Sequence, residues 1–115
     1  PDAWVRSSAL RALRHLPEEG STPVLAASLS GDDSETVRLA ALQILSFRES
    51  EAARAALRGA LGDASERVRL GAVRRLARIA SEDPATRSAL EELSVGDESE
   101  TVRGVFLFFV FCLTI

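Results

Sequence analysis

The sequence predicts an all-α fold: a right-handed α-solenoid of about three and a half helix-pair repeats of 31–34 residues. Three observations predict it. Val-Arg pairs recur at Val5-Arg6, Val37-Arg38, Val68-Arg69 and Val102-Arg103, at spacings of 32, 31 and 34 residues. Aligning on them brings further residues into register. Asp32, Asp63 and Asp97 sit six residues before the Arg, Glu35, Glu66 and Glu100 three before it, Ala9, Ala41 and Ala72 three after it, and Leu13, Leu45 and Leu76 seven after it. No stretch alternates with period two, so no strand is expected.

The units run over about 1–30, 31–61, 62–95 and 96–115. Each opens with a helix that carries the Val-Arg pair and follows a Gly-Asp loop. In the third unit Val68, Ala72, Leu76 and Ile79 recur at helical spacing and form one apolar stripe. A Ser or Asp at the start can cap free N–H groups, and acidic residues there suit the helix dipole. A second, shorter helix follows, over Pro23–Leu29, Glu51–Leu61 and Pro84–Leu93. Pro23 and Pro84 suit a first helical turn, with Thr22 and Asp83 as caps. Gly31, Gly62 and Gly96 are expected to end these helices at positive φ. Two such helices cannot bury both faces alone, whereas stacked neighbours can. The Val-Arg helices form one layer and the second helices the other, and small residues at Ala40, Ala41, Gly71 and Ala72 permit close approach.

The stretch Gly62–Leu93 resembles the HEAT repeat, in the short bacterial form also seen in bilin-lyase-type proteins. The Asp, the Val-Arg pair, the following Ala and the Leu carry the resemblance, which covers nearly all of residues 1–103. It implies a protein-interaction scaffold. It also implies that Asp32, Arg38, Asp63, Arg69, Asp97 and Arg103 form a ladder tying units together. The ladder has a physical reason too, since an Arg fork one turn inside a helix can bond a carboxylate of its own or the next unit bidentately.

Composition narrows the function. The 14 basic residues are all Arg, and 17 acidic residues give a net charge of −3. That balance argues against nucleic-acid binding driven by phosphate neutralisation. One Cys and one His exclude a disulfide framework and argue against a zinc site, so no cofactor or metal is expected. The absence of Tyr, Met and Asn with abundant Ala, Arg and Leu points to a GC-rich, bacterial coding sequence. The ladder Asp of the first unit would precede residue 1, and there is no initiator Met, so the chain reads as a fragment of a longer array. No secretory signal is visible, and the single Cys fits the cytoplasm.

The end of the chain departs from the repeat. Residues 104–115 hold four of the five Phe and the only Cys. Where other first helices place Arg11, Gln43 and Arg74, this one places Phe108. A helix apolar all round is buried or in a membrane. Twelve residues span roughly 18 Å, well short of the ~20 residues a bilayer needs. Three readings stand: a self-association surface of Val105, Phe106, Phe108, Phe109 and Phe111, giving a homodimer; the start of a membrane segment continuing past Ile115; or an artefactual end. Cys112 reads as a small hydrophobe and His15 as a helix-end cation.

Candidates for binding a protein partner are Trp4, Arg54, Arg58, Arg74, Arg75 and Arg87, with Ser28 and Glu91 also on the second-helix face. The cluster Arg74, Arg75 and Arg78 reads as a solvated face answered by Glu66, Glu82 and Asp83. The leading reading is a non-enzymatic scaffold. The alternatives are an accessory or bilin-lyase-like enzyme component, and the soluble part of a membrane-linked regulator. The iron hydroxylases of this fold resemble arrays of His-Glu pairs, and its alkyl-purine glycosylases resemble basic concave surfaces with aromatic residues. A chain with no His-Glu pair and a net acidic charge matches neither.

Overall fold

A computed structural model describes residues 2–114, and their side chains except those of residues 93, 94, 106 and 109–114. The helices are α1 (Ala3–Ala12, continued by a 3-10 turn, Leu13–His15), α2 (Glu18–Gly31), α3 (Glu35–Leu45), α4 (Glu51–Ala60), α5 (Glu66–Ala77), α6 (Pro84–Gly96) and α7 (Glu100–Thr114). No strand occurs among the described residues. The Val-Arg helices α1, α3, α5 and α7 pack in succession, and α2, α4 and α6 form a second layer against them. The result is a slab of 44 × 27 × 17 Å.

The aligned apolar columns meet between the layers. Val37, Val68 and Val102 are buried, as are Ala41 and Ala72, and Leu45 and Leu76. The second layer contributes Leu25, Leu57 and Leu90, each fully buried. Such a side chain stabilises the fold by about 1.5–3 kcal/mol when taken out of water. At Gly71 α5 packs closely on α3, because a Cβ there would collide with Leu42 Cδ2.

Three expectations are corrected. First, none of the glycines has positive φ. Gly31 and Gly96 are the last helical residues of α2 and α6. After α4 the chain tightens into three-residue bonds instead, from Leu61, Gly62 and Asp63 N–H to Arg58, Gly59 and Ala60 carbonyls. The turn therefore needs no left-handed residue. Second, α2 begins at Glu18 rather than Pro23, so Pro23 lies in the helix interior and Thr22 is buried rather than capping. Tertiary bonds hold the extra turns: Arg48 donates to Ser21 Oγ and Thr22 Oγ1, while Ser21 Oγ donates to the Pro17 carbonyl. Third, α2 and α6, at 14 and 13 residues, are longer than α1 and α3, at 10 and 11.

Candidate functional site

The repeat Arg and Asp residues meet across unit boundaries. Arg38 Nε lies 3.0 Å from Asp63 Oδ2, and Arg69 Nε lies 2.9 Å from Asp97 Oδ2. Arg6, in the first unit, reaches Asp32 in the same way at 2.9 Å. Each fork also holds its own unit. Arg38 Nη1 donates to the Asp32 carbonyl, Arg69 Nη1 to the Asp63 carbonyl, and Arg103 Nη1 to the Asp97 carbonyl. Each Asp carboxylate further accepts the N–H of the Ser two residues on, Ser34, Ser65 or Ser99. One carboxylate thus shapes its own loop and anchors the preceding unit. The Arg6 guanidinium, helped by the Ser34 N–H, holds the Asp32 carboxyl below the usual carboxylate range. Asp32 in turn raises Arg6.

A second set of cross-unit bonds runs beside the first. Glu35 accepts from Ser65 Oγ and from Arg67, and Glu66 accepts from Ser99 Oγ. In the other layer Arg58 bonds Asp83 at 3.2 Å and pairs with Glu51. Asp83 accepts from the Ala85 N–H and the Thr86 hydroxyl at the start of α6. The Thr86 hydroxyl, the Thr86 N–H and Arg58 keep the Asp83 carboxyl below its ordinary value.

The partner-binding candidates fall in different settings. Trp4 on α1 is 71% exposed. Arg87 and Arg74 are exposed, Arg54 and Arg75 are half-buried, and the Nε atoms of the last two have no hydrogen-bond partner among the described residues. Arg58 is engaged within the fold. Two of the three acids expected opposite Arg74, Arg75 and Arg78 are directed elsewhere, Glu66 to Ser99 and Asp83 to Arg58. On α7, Val105 is partly buried and Phe108 exposed; the side chains of Phe106, Phe109 and Phe111 lie outside the described residues. Among the described residues no group of His, Cys, Asp and Glu could hold a metal, and no helix is long and apolar enough to cross a membrane.

Sequence reasoning missed one pair. Phe47 is 88% exposed and the next residue, Arg48, is buried. Arg48 Nη1 donates to Ser21 Oγ at 2.6 Å and Thr22 Oγ1 at 3.0 Å, and Nη2 to the Leu13 and Leu16 carbonyls at 3.1 and 3.5 Å. No carboxylate among the described residues pairs with it. Bonds to carbonyls at the end of the first helix suit a cation, because the helix dipole is negative there. The signal was present: the aligned column reads Leu16, Arg48, Ile79 and Leu113, one charge among aliphatics. Beside this pair a cleft of about 750 Å³ opens between the ends of α1 and α3, lined by Arg11, Arg14, His15, Ile44, Phe47 and Arg48 among others.

The family model described as HEAT repeats matches residues 22–107. No curated protein and no solved structure matches the chain.

Proposed function

Because the chain belongs to the HEAT-repeat family, whose repeats generally act as protein-interaction scaffolds, we propose that it is a non-enzymatic scaffold that self-associates through α7 and binds a protein partner along its helical layers. One column carries the reading. Leu10, Leu42 and Val73 occupy equivalent positions on α1, α3 and α5 and are 5%, 3% and 0% exposed, with Leu42 set against Gly71 of the succeeding helix. Leu107 occupies that position on α7 and is 58% exposed. Its neighbour Phe108 is 64% exposed where α1 and α5 carry Arg. At Leu107 this helix exposes the apolar position that the other first helices bury.

A second copy is the simplest occupant, since a two-fold axis would set one α7 face against the other. Burying what remains exposed of Leu107 and Phe108 on both copies gives roughly 5 kcal/mol at the usual value per apolar side chain. A micromolar dimer needs about 8 kcal/mol, so these residues are necessary and neighbouring contacts supply the rest. The single Cys fits a reducing, cytoplasmic setting.

Light scattering at two concentrations tests the assembly, on the whole chain and on a Leu107→Glu, Phe108→Glu variant shown by circular dichroism to keep its helices. The whole chain is expected to rise above the 12.4 kDa monomer towards twice that mass, and the variant to stay monomeric. A monomeric parent chain, or a variant that assembles equally well, overturns the proposal.

A further inference from the structure

The cleft between α1 and α3 combines three features that the repeat pattern does not require. Phe47 stands 88% exposed on a turn closed by backbone bonds from Ser46, Phe47 and Arg48 N–H to Leu42, Ile44 and Leu45 carbonyls. Arg48 fixes that turn from beneath through its bonds to α2 and to the end of the first helix. Reversing the two residues' burial would have placed the aromatic ring inside and the cation in water. The observed order instead sets a large apolar side chain in solvent on a turn whose backbone is bonded in place, which is the preparation a binding anchor needs.

The second feature is charge. Arg11 and Arg14 are exposed at the rim, and neither they nor Arg48 pairs with a carboxylate among the described residues. This contrasts with Arg6, Arg38, Arg58, Arg67 and Arg69, all of which do. Glu18 is the single acid in the lining. Equivalent positions on the adjacent helix continue the stripe: Arg74 aligns with Arg11 and Gln43, and Arg78 with His15 and Phe47, and all are exposed. Acidic residues on α3, α5 and α7 lie in the first turn, at the opposite end of each helix. The third feature is the floor, where Ala40 and Ile44 with Leu16 give an apolar base to a recess of about 750 Å³.

We infer that this cleft is a docking site for an acidic protein segment, one that lays an aliphatic or aromatic side chain against Phe47 and the apolar floor and sets carboxylates on Arg11 and Arg14. The inference rests on the scaffold reading but not on self-association, which uses α7. Charge complementarity selects the occupant: Arg14 bonds only the neighbouring His15, and an Arg rim with no carboxylate partner among the described residues around an apolar base calls for carboxylates flanking a hydrophobic residue. A nucleic acid would meet few exposed Arg on a chain of net charge −3, and phosphate contacts set its affinity.

The test is fluorescence anisotropy with labelled synthetic peptides and the whole chain. One peptide is acidic with interspersed Phe and Leu; a second has those residues replaced by Ser; a third has its acids replaced by Lys; a short single-stranded DNA is the fourth probe. The first is expected to bind, at least tenfold more tightly than the others, and to weaken with salt. Phe47→Ser and the double variant Arg11→Glu, Arg14→Glu each should lose about tenfold, a change worth about 1.4 kcal/mol. Phe47 and both Arg are exposed, so these variants keep the fold, which circular dichroism checks. No binding of the acidic apolar peptide, equal binding of the Ser or Lys peptide, preference for DNA, or variants that bind like the parent would each overturn the inference. Light scattering on the same samples separates the two proposals: a dimer that ignores the peptide sinks only the cleft, and a monomer that binds it sinks only the self-association.

Discussion

Replacing Arg48 by Met separates the structural account from the repeat pattern. The aligned column is otherwise aliphatic, so the pattern alone expects an apolar residue there to stabilise the chain. The structure gives the opposite sign. Arg48 makes three hydrogen bonds of 3.1 Å or shorter, to Ser21 Oγ, Thr22 Oγ1 and the Leu13 carbonyl, and a longer one to the Leu16 carbonyl. Bonds to a charged group contribute about 1.5–3 kcal/mol each, which gives roughly 4–9 kcal/mol gross for the three. Desolvating the cation opposes this by several kcal/mol. The net loss expected for Arg48→Met is therefore about 3 kcal/mol, or about 10–20 °C in Tm for a chain of this size. Urea unfolding followed by circular dichroism measures it. Hydrogen exchange adds the location: α1 and α2 should lose protection before α5 and α6, because repeats unfold from their weakest junction. Arg48→Lys keeps the charge but not the two-pronged reach and is expected to lose about half as much. If Arg48→Met matches or exceeds the parent in stability with protection unchanged over α1 and α2, the reasoning fails.

Gly71→Ala should destabilise the chain by about 1 kcal/mol, because overpacking against Leu42 outweighs the gain in helix propensity. Gly59→Ala, with nothing within 4 Å of the new Cβ, should stabilise it by about 0.5–1 kcal/mol; urea midpoints of the two variants check both signs. Asp97→Ala removes the close carboxylate of the buried Arg69 guanidinium, leaving only the exposed Glu98 at 3.8 Å, and also removes the bond to the Ser99 N–H, at a cost of about 3 kcal/mol. Asp32→Ala acts on the more exposed rung with Arg6 and should cost clearly less, and thermal melts rank the pair. Asp32 and Asp83 both have carboxyls held below their ordinary value, so the folded form binds these protons more weakly than the unfolded chain. The stabilisation is therefore complete above the normal carboxylate range and is lost as pH falls through the lowered values. Tm should be flat from neutral pH to about pH 5 and decline below about pH 4; Asp83→Asn should make that decline shallower.

The legible part of this chain is the part that repeats. Val37, Val68 and Val102 occupy one column because each must enter the same inter-layer core, and a constraint repeated at every unit leaves a visible trace. The Asp and Arg columns are visible for the same reason, although spacing left open whether an Arg reaches its own Asp or the next. The structure divides the fork between them, with the carboxylate from the next unit and the carbonyl from its own. What repeats only once was obscured. Pro23 looked like a helix start because local propensity places proline in the first turn, but Arg48, more than 20 residues away, holds Ser21 and Thr22 in helix ahead of it. Arg48 broke its aliphatic column in plain view, yet only packing shows that this cation is inside and the neighbouring Phe47 ring outside. Gly31 and Gly96 misled because glycine is common just past helix ends; here the last turns close without left-handed residues.

Hydrogen exchange of the intact chain, compared at dilute and concentrated protein, tests the scaffold account most directly, because it reports both whether copies meet and where. The account predicts added protection at high concentration over α7, centred on Leu107 and Phe108, with α2 and α4 unchanged. Exchange that is identical at both concentrations, or protection that appears on the second-helix layer instead of α7, would contradict it.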